Sequence, residues 1–162
     1  MKNKTRLRAA QAAVVMVPLV CATAAACGGG GSASRNAAGG GISITTGHSS
    51  FGPIVTGANG RAVYLFEKDA GTTSSCYGAC AAAWPPVLTT GAPVAATGVT
   101  AGLLGTVRRS DGTMQVTYAG HPLYYFAGDS AAGDVSGEGS DSFGAGWDLL
   151  TPAGKKIEKP GS

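Results

Sequence analysis

Two segments of this 162-residue chain repeat each other: Tyr64-Leu65-Phe66-Glu67-Lys68-Asp69 recurs as Tyr124-Tyr125-Phe126-Ala127-Gly128-Asp129, sixty positions on. Both read Y-x-F-x-x-D. An apolar stretch with a glycine turn precedes each copy (Val55 to Gly60, Val116 to Gly120), and a Gly/Ser-rich loop followed by a tryptophan comes after each, at Trp84 and Trp147. A chain that carries one unit twice is expected to fold as two packed copies of it, because neither copy alone holds enough apolar surface for a core.

Alternation dictates the type of element. In a strand Tyr64 and Phe66 share one face and Leu65 takes the other, and Tyr124, Phe126 and Tyr125 follow the same rule. Asp69 and Asp129 then fall where each strand ends, and an aspartate there is expected to start a turn by accepting hydrogen bonds from nearby backbone N–H groups. The pattern predicts strands near 42–46, 52–56, 62–67, 103–109, 113–118, 121–126 and 146–151, with hairpin turns at Asp111-Gly112 and Ala119-Gly120. Charged residues are sparse at 13%, which suits short strands and many turns. One short helical turn is expected within 77–84. The predicted fold class is all-β: a small antiparallel domain of two tandem repeats of about 60 residues, arranged with pseudo-twofold symmetry. It covers residues 42–159, with repeat one at about 47–90 and repeat two at about 103–157.

The paired motif, with C-Y-G-A-C-A-A-A-W-P-P after the first copy and G-W-D-L-L-T-P-A-G after the second, resembles the secreted-repeat lipoproteins defined by Y-x-[FWY]-x-x-D. The resemblance spans roughly residues 47–157 and implies a cell-envelope protein without an assigned biochemical role. The N-terminus agrees. Residues 1–8 carry only positive charge, residues 9–26 are apolar and interrupted by Pro18, and Ala24, Ala25 and Ala26 precede Cys27. That is the layout of a cleaved signal peptide, expected at 1–26. Cys27 followed by GGGGSAS resembles the lipobox of bacterial lipoproteins, although Ala24 stands where the family favours Leu or Val. The resemblance implies a diacylglyceryl group on Cys27, acylation such as palmitate, and an anchor in a membrane. The Gly/Ser/Ala-rich residues 27–41 would then serve as a flexible tether.

From Cys27 onward the chain carries eight basic and nine acidic residues. Such a balance gives no electrostatic footprint for nucleic acid, and the pair Arg108-Arg109 is too small to supply one.

With Cys27 acylated and Cys21 removed with the leader, Cys76 and Cys80 remain. In an oxidising compartment two thiols tend to pair, so a disulfide is the first reading. The competing reading is a copper or thiol-redox site in which reduced Cys76 and Cys80 act as soft ligands with Met114, His121 or His48. A second alternative is calcium on the loop that carries Asp129, Asp134, Glu138 and Asp141, as in a calcium-stabilised adhesin. No G-x-S-x-G, H-E-x-x-H, P-loop or strand-borne G-x-G-x-x-G appears in the chain, so no catalytic residue is assigned and no cofactor is favoured. The expectation is a non-enzymatic surface module that binds an envelope protein, polymer or small ligand, with Tyr77 and Trp84 as the first surface to consider unless Trp84 and Trp147 both pack in the core.

Overall fold

A computed structural model describes residues 40–158. The expected signal peptide, Cys27 and the tether as far as residue 39 lie outside the described residues. Gly40 and Gly41, expected in the tether, belong instead to the domain. Thr90 Oγ1 donates to Gly40 O at 2.8 Å, and a Cβ on Gly41 would fall 1.9 Å from Ala92 O.

The elements are β1 (Ser43–Ser49), β2 (Gly52–Gly57), β3 (Tyr64–Phe66), α1 (Ala79–Ala83), β4 (Val94–Ala95), a 3-10 turn (Ala101–Leu103), β5 (Leu104–Arg108), β6 (Met114–Tyr118), β7 (His121–Pro122) and β8 (Trp147–Leu149). They pair in the orders β2-β1-β4, β3-β8 and β5-β6-β7. The all-β expectation holds, with α1 in the place predicted for the helical turn. One pairing is not antiparallel: β4 runs parallel to β1, with Ser43 opposite Val94.

Each repeat builds a hairpin, β1-β2 or β5-β6, followed by its motif strand. The two motif strands meet at their tyrosines. Tyr64 N–H donates to Tyr124 O at 2.8 Å and Tyr124 N–H to Tyr64 O at 2.9 Å, the reciprocal pair expected beside a local twofold axis. The strand after each motif then crosses to the other repeat. β8, from repeat two, pairs with β3, placing Trp147 opposite Phe66 and Leu149 opposite Tyr64. Residues 84–88, which the alternation pattern did not pick out as a strand, do the same in reverse. Pro86 bridges Tyr124 and Leu88 bridges Gln115, Tyr125 N–H donates to Pro85 O, and Val87 N–H donates to Leu123 O. Pro85 and Pro86 have no N–H to give, which hides this strand from a propensity reading.

Two apolar clusters result. One gathers Ile54, Tyr64, Phe66, Cys76, Cys80, Trp84, Tyr124, Trp147 and Leu149; the other gathers Ile44, Val55, Val63, Leu65, Val87, Val116, Tyr118, Leu123 and Leu150. Successive motif residues point to opposite faces, so Tyr64 and Phe66 feed the first cluster and Leu65 the second. Both clusters draw on both repeats, and neither repeat could close one alone.

Candidate functional site

The spacing of the motif follows from its turn. In F-x-x-D the aspartate N–H donates to the phenylalanine carbonyl: Asp69 to Phe66 at 3.0 Å and Asp129 to Phe126 at 3.2 Å. The chain reverses there. The aspartate side chains reach further than expected of turn starters. Asp69 Oδ1 accepts from Ser75 N–H at 2.8 Å and Ser75 Oγ at 2.7 Å, and Asp129 Oδ1 accepts from Ser136 N–H at 2.9 Å. Each carboxylate thus closes a loop of six or seven residues.

The second oxygen of each aspartate binds the tyrosine of the other repeat. Tyr64 Oη donates to Asp129 Oδ2 at 2.5 Å, and Tyr124 Oη donates to Asp69 Oδ2 at 2.8 Å. The Y and D of one motif therefore do not serve each other. Burial raises the pKa of the Tyr64 phenol, and the neighbouring Asp129 carboxylate adds to the effect. Burial likewise pushes Tyr124 up to about 12. Both phenols remain protonated donors at neutral pH, as two charge-assisted hydrogen bonds require.

Between these crossed bonds runs a column of rings. Trp84 and Trp147 stack at 4.0 Å between centroids with planes 5° apart. Phe66 stacks on Trp147 at 4.0 Å and Phe126 lies against Trp84 at 4.4 Å, so each motif phenylalanine packs on the tryptophan that the other repeat delivers. Both tryptophans are core, with Trp84 only 1% exposed, so Trp84 offers no contact surface. Tyr77 is half-buried; its hydroxyl accepts from Ser110 N–H at 3.0 Å and its ring lies under Arg109.

Arg109, treated in the sequence as part of a weak surface pair, is 3% exposed. It donates to Ser74 Oγ at 2.5 Å, Gln115 Oε1 at 2.7 Å and Cys76 O at 2.7 Å. Ser74 Oγ in turn hydrogen-bonds Tyr124 Oη at 2.7 Å. A chain of polar contacts thus runs from Asp69 through Tyr124, Ser74 and Arg109 to Gln115, whose Nε2 donates to Leu123 O at 2.7 Å. No spacing signal marks a buried arginine of this kind; only the fold supplies its partners.

Cys76 and Cys80 form a disulfide, with 5.3 Å between Cα atoms. The copper reading required both as free thiolates. The remaining ligands of that reading stand apart: His48 is on β1 opposite Pro53, His121 is on β7 opposite Tyr118, and Met114 opens β6 opposite Arg108. The four carboxylates of the calcium reading also separate. Asp129 is taken up as described. Asp134 Oδ2 accepts from Ser130 N–H at 2.9 Å and Ala131 N–H at 2.8 Å, bonds that lower its pKa. Glu138 Oε2 accepts from Leu149 N–H at 2.7 Å. Asp141 lines a separate pocket with Glu67, Asp148, Lys156 and Glu158. Among the described residues no group of three or more His, Cys, Asp or Glu is placed to hold a metal ion.

An open groove of about 490 Å³ is lined by Gly40, Leu88, Thr89, Thr90, Gly112, Thr113 and Met114. Leu88 on its wall is 44% exposed. Gly40, the first described residue, lies on its rim.

No curated protein and no solved structure matches the chain. A family model described as a secreted repeat of unknown function matches residues 45–88 and again 105–151, together more than half of the chain. The first matched stretch ends at Leu88, with the exchanged strand at 84–88, and the second ends two residues beyond β8. The description places the domain outside the cytoplasm, and the chain belongs to this family of secreted repeats of unknown function, with two copies folded into one domain.

Proposed function

We propose that the protein is a lipid-anchored envelope module, held to a membrane through acylated Cys27 and displaying its groove to a partner or ligand without catalysing a reaction. The observation that carries the reading is how the conspicuous polar groups are spent. Asp69, Asp129, Tyr64 and Tyr124 are bonded to one another across the repeats, and Arg109, Ser74 and Gln115 are bonded together beside them. The groove beside Gly40 is of a size usual for ligand sites, about 300–1,000 Å³, and its exposed Leu88 and half-buried Met114 offer apolar contact with threonine hydroxyls around them.

Two measurements on the exported protein test this. Intact mass should show a diacylglyceryl group on Cys27, and Cys27→Ala should move the protein from the membrane fraction to the soluble fraction. A photo-crosslinking residue at Leu88 or Met114 should give a defined adduct in intact cells, and one at exposed Phe143, outside the groove, should give none. Absence of acyl mass refutes the anchor. Adducts at all three positions alike, or at none, refute the groove as the binding surface.

A further inference from the structure

The core joins six groups in sequence through space. Asp129 accepts from the Tyr64 phenol at 2.5 Å; the Tyr64 ring meets Trp84 edge-on at 5.3 Å; Trp84 stacks on Trp147 at 4.0 Å. Trp147 meets Tyr124 edge-on at 5.2 Å, and Tyr124 donates to Asp69 at 2.8 Å. Aromatic rings in such contact pass an electron vacancy readily. A phenol that loses an electron becomes a strong acid, so its oxidation is easiest where a base already holds the hydroxyl proton. Tyr64 and Tyr124 have that base.

The other three tyrosines do not share this arrangement. Tyr118 donates to Pro152 O, a carbonyl that cannot keep a proton. Tyr77 and Tyr125 lie beneath cations, with Arg109 4.2 Å from the first ring and Arg61 4.9 Å from the second. A guanidinium over a ring opposes removal of an electron from it. Both half-buried tyrosines are thereby shielded from oxidation, and the buried pair is favoured.

We infer that the crossed tyrosine–aspartate pairs and the tryptophan stack form a one-electron relay, which takes oxidising equivalents from one-electron oxidants such as peroxyl radicals and holds them as neutral tyrosyl radicals on Tyr64 or Tyr124. The step balances on the groups named. One electron leaves the phenol through the indoles and reduces the oxidant, a peroxyl radical becoming a peroxide anion. The phenolic O–H bond breaks, and its proton bonds to Asp129 Oδ2 or Asp69 Oδ2. The pair changes from phenol and carboxylate to tyrosyl radical and carboxylic acid, losing one negative charge.

The test is flash oxidation of the full exported protein in detergent micelles by a photogenerated ruthenium(III) polypyridyl complex, followed by electron paramagnetic resonance and transient absorption. The expected product is a neutral tyrosyl radical that forms at a rate independent of phosphate buffer concentration, because the base is internal. Asp69→Asn with Asp129→Asn keeps an acceptor but removes the base, and should slow tyrosyl formation by about 100-fold. Tyr64→Phe with Tyr124→Phe should leave a tryptophanyl radical alone. A radical on Tyr77, Tyr118 or Tyr125, or an unchanged rate in a folded Asn variant, overturns the relay. If the Asn variants fail to fold, the wild-type rate decides: acceleration by buffer base means that no internal base takes the proton.

Discussion

Replacement of Tyr64 by phenylalanine keeps the ring against Trp84 and removes one atom, the donor to Asp129. Asp129 is 3% exposed, so water cannot readily replace the lost donor, and the carboxylate keeps only the Ser136 N–H. Hydrogen bonds to charged groups contribute about 1.5–3 kcal/mol, and a buried acceptor left bare sits at the upper end. The expected loss is about 2–3 kcal/mol. For a domain of this size that lowers Tm by roughly 10 °C. Tyr124→Phe is the internal control. It breaks the equivalent bond to Asp69, which is half-buried and keeps both Ser75 donors, and also the bond to Ser74 Oγ, which keeps the Arg109 donor, so the loss should be about 1–2 kcal/mol. Urea denaturation of the two single variants, Asp129→Asn and the Tyr64→Phe/Asp129→Asn double variant gives a double-mutant cycle, with an expected coupling of about 1 kcal/mol or more. The reasoning fails if Tyr64→Phe costs no more than Tyr124→Phe, or if the Tyr64 and Asp129 effects simply add.

The disulfide closes a short loop, with a separation of four positions, and should contribute about 2 kcal/mol on the chain-entropy account. Calorimetry of Cys76→Ala/Cys80→Ala should show Tm lower by roughly 8 °C, and an unchanged Tm would mean that Arg109 and the core hold the loop unaided. Burial raises the pKa of Asp148 above its unfolded value, so its contribution to stability is full below the unfolded pKa and is lost as pH rises through the folded one. Glu67 runs the other way: the hydrogen bond from Lys156 lowers its pKa, and its contribution is lost as pH falls through the folded pKa. Wild-type stability measured against Asp148→Asn should therefore increase on acidification through the carboxylate range, and a difference that stays flat with pH would refute the raised pKa.

Period-two alternation and the repeated motif were sufficient to read the all-β class, the two-copy organisation, the turns at Asp111-Gly112 and Ala119-Gly120 and the burial of Tyr64, Phe66 and Tyr124, because these depend on neighbours along one strand. The disulfide was also legible, since the two cysteines lie only four positions apart in sequence. The strand at 84–88 was not, because its two prolines read as a break and its partners, Leu123 to Tyr125 and Gln115, lie 27 to 40 positions away. The surroundings of the copper and calcium candidates were not legible either, for a related reason. Proximity along the chain put His48, Met114 and His121, or four carboxylates in one loop, on paper together, while strand direction sent each to a different partner.

The role of the motif aspartates shows the division most clearly. Sequence alone determined that each would stand at a strand end and turn the chain, because F-x-x-D closes through its own backbone. Only the tertiary structure decided which tyrosine each aspartate would hold. The answer is the tyrosine of the other repeat, because exchange of the last strand brings each motif against its partner copy, and contacts made across a twofold arrangement leave no trace in the spacing of either copy.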